Sequence, residues 1–91
     1  MKVGLPPPSP NKVYVDVIAQ FHKEGLIRIR PLFFTWEDGR RYKIEDILDI
    51  TNAPSLKAGG IGIRYTCQVY GKQTYLWLED DRWYMERKKE Q

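Results

Sequence analysis

Apolar and polar residues alternate with a period of two along most of this chain, which is the pattern of half-buried β-strands. In the first run, residues 12–22, Val13, Val15 and Val17 alternate with polar or aromatic residues. Similar runs cover residues 26–36, 61–70, 74–79 and 83–87. Of these, residues 61–70 alternate most regularly, so the pattern predicts a chain built mainly from short strands.

Short segments rich in glycine and aspartate separate these runs and predict hairpin turns. They cover residues 23–25, 37–40, 71–73 and 80–82. The Asp38-Gly39 pair favours a tight type I′ turn. Pro31 removes a ladder donor from the second run, which predicts an edge position, a bulge or a bend at that point.

Residues 44–50 allow two interpretations, a strand or one helical turn. The run from Tyr42 to Ile44 is strand-like, whereas Ile44, Ile47 and Leu48 also fit a helical spacing. We predict a strand with a kink. The following residues, 51–60, are polar and rich in glycine and proline, which predicts the longest flexible loop of the chain.

Five or six short strands without a crossover helix predict an all-β fold. The expected architecture is a small antiparallel barrel or a curled meander, SH3-like in size. With 91 residues, the chain has room for one core, which we assign to residues 12–87. Residues 1–11 contain four prolines and are predicted to be a flexible tail, and residues 88–91 a charged one.

The net charge of +3 comes mostly from the chain ends. Residues 3–85 hold eleven Lys/Arg and ten Asp/Glu, so the body carries only +1. No uncharged apolar run reaches the 18 residues expected of a membrane span, and prolines 6–8 interrupt any signal-peptide core. The single cysteine, Cys67, cannot form an intramolecular disulfide. We therefore expect a soluble protein of the cytoplasm that does not contact membranes.

Three short motifs give the chain a family resemblance. They are Pro-x-x-Phe-x-Trp from Pro31 to Trp36, Gly-Arg-x-Tyr-x-Ile from Gly39 to Ile44, and the closing Trp-Tyr pair at residues 83–84. This pattern resembles short uncharacterised bacterial proteins that contain a domain of unknown function, and it covers residues 31–87. The resemblance implies a compact β domain in a bacterial cytoplasm and transfers no catalytic or binding residue.

Few residues of this chain are candidates for catalysis or for binding a metal or a phosphate group. His22 ends a strand run beside charged residues, which is typical of a solvated turn residue, and Cys67 alternates with apolar neighbours, which is typical of a buried thiol. The acidic groups 45–49 and 79–81 lack the spacing of a calcium loop, and residues 59–62 precede a strand, unlike a phosphate-binding loop. We predict no catalytic residue, no metal and no cofactor.

Three functions remain open, and we slightly prefer a non-catalytic module that binds a protein partner or itself through an edge strand and surplus aromatics. The alternative is a barrel that binds nucleic acid, with base stacking on exposed tyrosines. Its candidate arginines are Arg28, Arg30, Arg40, Arg41 and Arg64, with Arg28 and Arg30 on one strand face, and its tyrosines are Tyr14, Tyr70, Tyr75 and Tyr84. The predicted aromatic core comprises Phe21, Phe33, Phe34, Trp36, Trp77 and Trp83. A small enzyme is third, since it would need His22 or Cys67 in a pocket.

Overall fold

The computed structural model describes residues 11–54 and 61–87, which form seven β-strands and, within those residues, no helix. The strands are β1 (Lys12–Phe21), β2 (Ile29–Thr35), β3 (Arg41–Lys43), β4 (Asp46–Pro54), β5 (Ile61–Val69), β6 (Lys72–Glu79) and β7 (Arg82–Glu86). The prediction of a small all-β fold is confirmed. The count exceeds the predicted five or six because the kinked strand divides into β3 and β4.

All neighbouring strands pair antiparallel, in the order β3-β2-β1-β7-β6-β5-β4. β1 is shared between two halves, because its residues 12–15 pair with β7 and its residues 16–21 pair with β2. At the opposite side the Ile44 amide donates to the Leu32 carbonyl of β2 (2.9 Å), and the next amide, of Glu45, donates to Gln68 of β5 (2.8 Å). The sheet therefore curls into a half-barrel whose terminal strands are joined by the kink.

Two irregularities bend the sheet. Between Ile18 and Ala19 the pairing with β2 shifts by one residue, so Leu32 forms a bulge directly after the buried Pro31. Of the three predicted alternatives, an edge position, a bulge or a bend, the structure shows a bulge, which lets β2 accept a residue without an amide donor. A second bulge, at Leu48, lies in β4.

The turns differ in detail from the sequence prediction. The β2–β3 connection is closed by Trp36 and Arg40 (N···O 2.8 Å), and Gly39 has a positive φ of 87° whereas Asp38 does not. Because a type I′ turn needs positive φ at both central residues, that prediction is wrong. The I′ pattern occurs instead between β5 and β6, at Tyr70 (φ 52°) and Gly71 (φ 71°).

Several predicted boundaries change. The second strand begins at Ile29 instead of residue 26, and the β1–β2 loop covers residues 22–28. Residues 51–54, predicted as part of a loop, extend β4 and pair with β5; the rest of that prediction, 55–60, lies outside the described residues. The predicted tails also lie outside them, except Asn11, whose carbonyl accepts the Arg87 amide (2.7 Å).

The hydrophobic core fills the concave face of the sheet. Its buried members are Phe34, Ile44, Tyr65, Cys67, Val69, Leu76, Leu78 and Met85. Tyr65 is 2% exposed, and its hydroxyl donates to the Ile29 carbonyl (2.7 Å), so one buried side chain links β5 to β2. This hydrogen bond satisfies the only polar atom that the ring brings into the core.

The aromatic core is smaller than predicted. Of the six predicted residues only Phe34 is buried; Phe33, Trp36, Trp77 and Trp83 are half-buried, and Phe21 is exposed. Tyr65 takes the central position because its hydroxyl finds a backbone acceptor there. Phe21 is excluded because the end of β1 extends beyond the part of the sheet that β7 covers.

Candidate functional site

A row of aromatic side chains crosses the outer face of the sheet, the face opposite the core. Tyr14 of β1 pairs in register with Tyr84 of β7, which pairs with Trp77 of β6. Trp77 and Tyr84 stack with centroids 5.2 Å apart and planes 2° apart, and Tyr14 and Tyr75 extend the row at 6.0 and 5.6 Å. We call Tyr14, Tyr84, Trp77 and Tyr75 the aromatic strip. Each contact is worth about 0.5–1.5 kcal/mol beyond the area it buries.

A buried carboxylate anchors one end of the aromatic strip. Glu79 is 6% exposed, and its Oε1 accepts the Tyr14 hydroxyl (3.1 Å) and the Lys12 ammonium (3.4 Å). Lys12 also lies 4.3 Å from the ring centroid of Tyr84. Partial burial lowers the pKa of Lys12, but the hydrogen bonds and charges of Tyr14 and Glu79 outweigh that effect, so the pKa is raised. Burial also raises the pKa of Tyr84.

Two arginines lie against rings of the aromatic strip. The Arg64 guanidinium is 4.6 Å from the ring centroid of Tyr75, and the Arg82 guanidinium is 5.1 Å from that of Tyr14. Among the described residues, the Nε of Arg64 is the one buried side-chain nitrogen or oxygen without a hydrogen-bond partner. The two guanidinium groups therefore lie against the outermost rings, Tyr14 and Tyr75, which are still 45% exposed.

The arginines predicted for nucleic-acid contact are distributed over the β1–β2 loop, β2, the β2–β3 turn, β3 and β5. Arg28 precedes β2, so the expectation that it shares a strand face with Arg30 is wrong. Arg40 is paired with Asp38 (3.7 Å), and Arg41 lies on β3. Of the five, Arg64 alone stacks on one of the predicted tyrosines, as far as the described residues show.

The four predicted tyrosines do not form a single cluster. Tyr14, Tyr75 and Tyr84 belong to the aromatic strip. Tyr70 lies in the β5–β6 turn, where its ring contacts Tyr42 edge-on at 5.6 Å. The structure therefore brings three of the four tyrosines together and separates the fourth.

The second half of β1 has an unpaired backbone edge. Backbone groups of successive strand residues point to opposite sides. The Asn11 carbonyl points to β7 and the His22 amide points to the β2 side, which assigns odd positions to β7 and even positions to β2. Pairing with β7 ends at Val15. In the part of the chain that the structure describes, no strand pairs with the β7-facing amides and carbonyls of Val17, Ala19 and Phe21.

Exposed apolar side chains surround this edge. Phe21 is 74% exposed, Leu26 at the tip of the β1–β2 loop is fully exposed, and Ile18 is 47% exposed. We call the unpaired backbone of residues 17–21 together with these three side chains the hairpin edge. An open groove of about 600 Å³ lies beside the first residues of β7. Its lining includes Val15, Asp16, Val17, Asp81, Arg82 and Trp83.

The two candidates for catalysis have different surroundings. Cys67 is a free, buried thiol, and desolvation raises its pKa to about 12. It is therefore protonated at neutral pH and a poor nucleophile. His22 lies at the start of the β1–β2 loop, where its carbonyl accepts the Arg28 guanidinium (3.1 Å). Within residues 11–54 and 61–87, no three histidine, cysteine or acidic side chains come together as a metal site.

Comparison with protein-family models, curated proteins and solved structures gives no significant match. The resemblance to bacterial proteins therefore stays a prediction. Residues 11–54 and 61–87 contain no long apolar helix of the kind that crosses a membrane.

Sequence reasoning missed several residues of both surfaces. Trp77 was assigned to the core, although Tyr75, Trp77 and Glu79 alternate with buried leucines and so share the outer face. That signal was present in the sequence. Phe21 carried no such signal, because its exposure depends on where β7 stops.

Proposed function

We propose that this domain is a non-catalytic protein-binding module that accepts a partner strand along the hairpin edge. The observation that carries the proposal is the unpaired backbone of Val17, Ala19 and Phe21 beside exposed apolar side chains. A long unpaired edge is an exposed template for another strand, and natural proteins usually cover or charge it. Here the edge carries Ile18 and Phe21 instead.

An added strand would gain both backbone and side-chain contacts. Each net hydrogen bond contributes about 0.5–1.5 kcal/mol, and backbone pairing supplies affinity while alternate side chains supply specificity. The groove beside Trp83 lies in line with the edge. A bound strand would therefore extend the sheet past the β6–β7 turn and cover Phe21.

The proposal includes a non-catalytic role in the bacterial cytoplasm. The high pKa of Cys67, about 12, argues against a thiol nucleophile. A reduced, buried thiol is compatible with a reducing compartment. Nucleic-acid binding is less favoured, because the predicted arginines are spread over several elements and one of them is paired with Asp38.

The proposal is tested with two variants at one position. Ala19→Pro removes the edge-facing amide and places a ring on the edge, while the amide bonds to β2 remain, because the Ala19 amide points away from β2. Ala19→Ser keeps the amide and serves as the matched control. We expect a partner that wild type and Ala19→Ser capture from an extract of the source cells, and that Ala19→Pro loses.

A second readout localises the contact. The captured partner should slow hydrogen exchange at the amides of Val17, Ala19 and Phe21. An identical set of captured proteins for all three baits, or unchanged exchange at these amides, would overturn the proposal.

A further inference from the structure

Resting on the proposed strand-accepting edge, we infer that its occupant is a second copy of this chain, paired β1 to β1 in antiparallel fashion about a two-fold axis at Ala19. An isologous contact of this kind joins the same surface of both subunits and closes after two copies. The argument rests on the backbone register, the side chains that meet and the charges at the ends of the edge.

The backbone of β1 favours this register. With Ala19 opposite Ala19 of the second copy, Val17 lies opposite Phe21 and Phe21 opposite Val17. All three residues direct both backbone groups to the edge, so each opposed pair exchanges two hydrogen bonds, about six in total. A shift of the axis to Ile18 would oppose Phe21 to Val15, which is already paired with Trp83 of β7. That register retains about four bonds.

The side chains are complementary in the same register. On the inner face, the exposed Phe21 meets Val17 of the second copy, which removes a large apolar surface from water. On the outer face, the exposed Ile18 lies opposite the alkyl part of Gln20. Cross-strand pairs of this kind are the unit by which antiparallel strands stabilise each other.

The ends of the edge also fit this register. Asp16 lies opposite His22 of the second copy, so a carboxylate faces an imidazole at each end. Pairing stops there, because the next residue, Lys23, would meet Val15, which is already paired with Trp83 of β7.

The first experiment measures self-association by analytical ultracentrifugation from about 10 μM to about 1 mM, because one strand pair is a small interface. We expect wild type and Ala19→Ser to dimerise with increasing concentration. We expect Ala19→Pro to stay monomeric, with a dissociation constant at least about tenfold higher. Circular dichroism and thermal unfolding check that both variants fold.

The second experiment tests the register with engineered thiols. Opposed hydrogen-bonded residues lie about 5.5 Å apart at Cα, within disulfide range, so Ala19→Cys should cross-link two copies on mild oxidation. Ile50→Cys, also at an exposed position, serves as the control, and we expect it to react at least about tenfold more slowly. The buried Cys67 stays out of this reaction.

Each outcome decides between the two proposals. A wild type that stays monomeric at all concentrations, with Ala19→Cys no faster than Ile50→Cys, overturns self-pairing but leaves the strand-accepting edge to the capture experiment. A dimer that persists in Ala19→Pro uses another surface and overturns this register. Loss of both the dimer and the edge-dependent capture rejects both proposals.

Discussion

The aromatic strip and the hairpin edge both place large apolar side chains outside the core, yet the rings of the strip pack against one another and its central members, Trp77 and Tyr84, are half-buried. In the strip, Trp77 stacks on Tyr84, and Lys12 lies over the ring of Tyr84. At the hairpin edge, Phe21 and Leu26 stay largely in water. Each half of β1 pairs with one strand, the first with β7 and the second with β2. The difference teaches that exposure depends on which side chains the neighbouring strand supplies, since Tyr84 of β7 packs against Tyr14.

The largest expected effect is on the stability that the aromatic strip provides. Trp77→Ala removes the central ring, which contacts Tyr84 and Tyr75. We expect it to lower the free energy of unfolding by about 3 kcal/mol. Phe21→Ala, at the exposed hairpin edge, should change it by less than about 0.5 kcal/mol. Urea denaturation at low protein concentration measures both, and equal losses would contradict the comparison.

A smaller loss of stability is expected when Glu79, a buried acidic residue that binds a cation, is replaced. Glu79→Gln removes the charge that holds Lys12 and Tyr14, and we expect a loss of about 2 kcal/mol in the free energy of unfolding.

The matched control for this loss is Glu37→Gln. Glu37 contacts Arg87 at 2.8 and 2.9 Å, closer than Lys12 lies to Glu79 (3.4 Å), and the hydrogen bond from Arg87 lowers the pKa of Glu37. This pair is exposed, however, so solvent weakens it. We expect a much smaller loss for Glu37→Gln in the same denaturation assay. If the shorter pair proved the stronger one, geometry rather than burial would control these contacts.

The effect that is smallest at neutral pH is the titration of Cys67, which changes stability only in alkaline solution. The pKa of Cys67 is about 12 in the folded chain against an ordinary value of 9.0. Between these values the unfolded chain loses a proton that the folded chain keeps, so stability falls as the pH rises, by up to about 1.4 kcal/mol per pH unit. This contribution is fully present below pH 9.

Cys67→Ala removes this dependence and should flatten the decline of the free energy of unfolding above pH 9. The decline does not vanish, because burial also raises the pKa of Tyr65 and Tyr84. Urea denaturation from about pH 8 to about pH 11 compares the two proteins. Parallel curves would show that Cys67 does not titrate as its burial requires.

Much of the fold could be predicted from local patterns. Alternation of apolar residues located the strands, although several of their ends shifted, and Pro31 indicated an irregularity that is a bulge in the structure, because both effects act within one strand and its neighbour. The turn type at Asp38-Gly39 was wrong, since the dipeptide allows a positive φ at Asp38 without requiring it. The candidate site was only partly predictable: three of the four tyrosines lie in the aromatic strip, but of the five predicted arginines, among the described residues, Arg64 alone contacts it.

The sequence by itself determined that this protein is a small all-β chain, because side-chain alternation and turn residues act over a few positions. The tertiary structure decided which half of β1 pairs with β7, where Tyr65 finds its acceptor and why Glu79 lies buried beside Lys12. These outcomes depend on the order and length of strands that are distant in the chain. Local periodicity assigns a residue to a face, and only the neighbouring strands determine whether that face is covered.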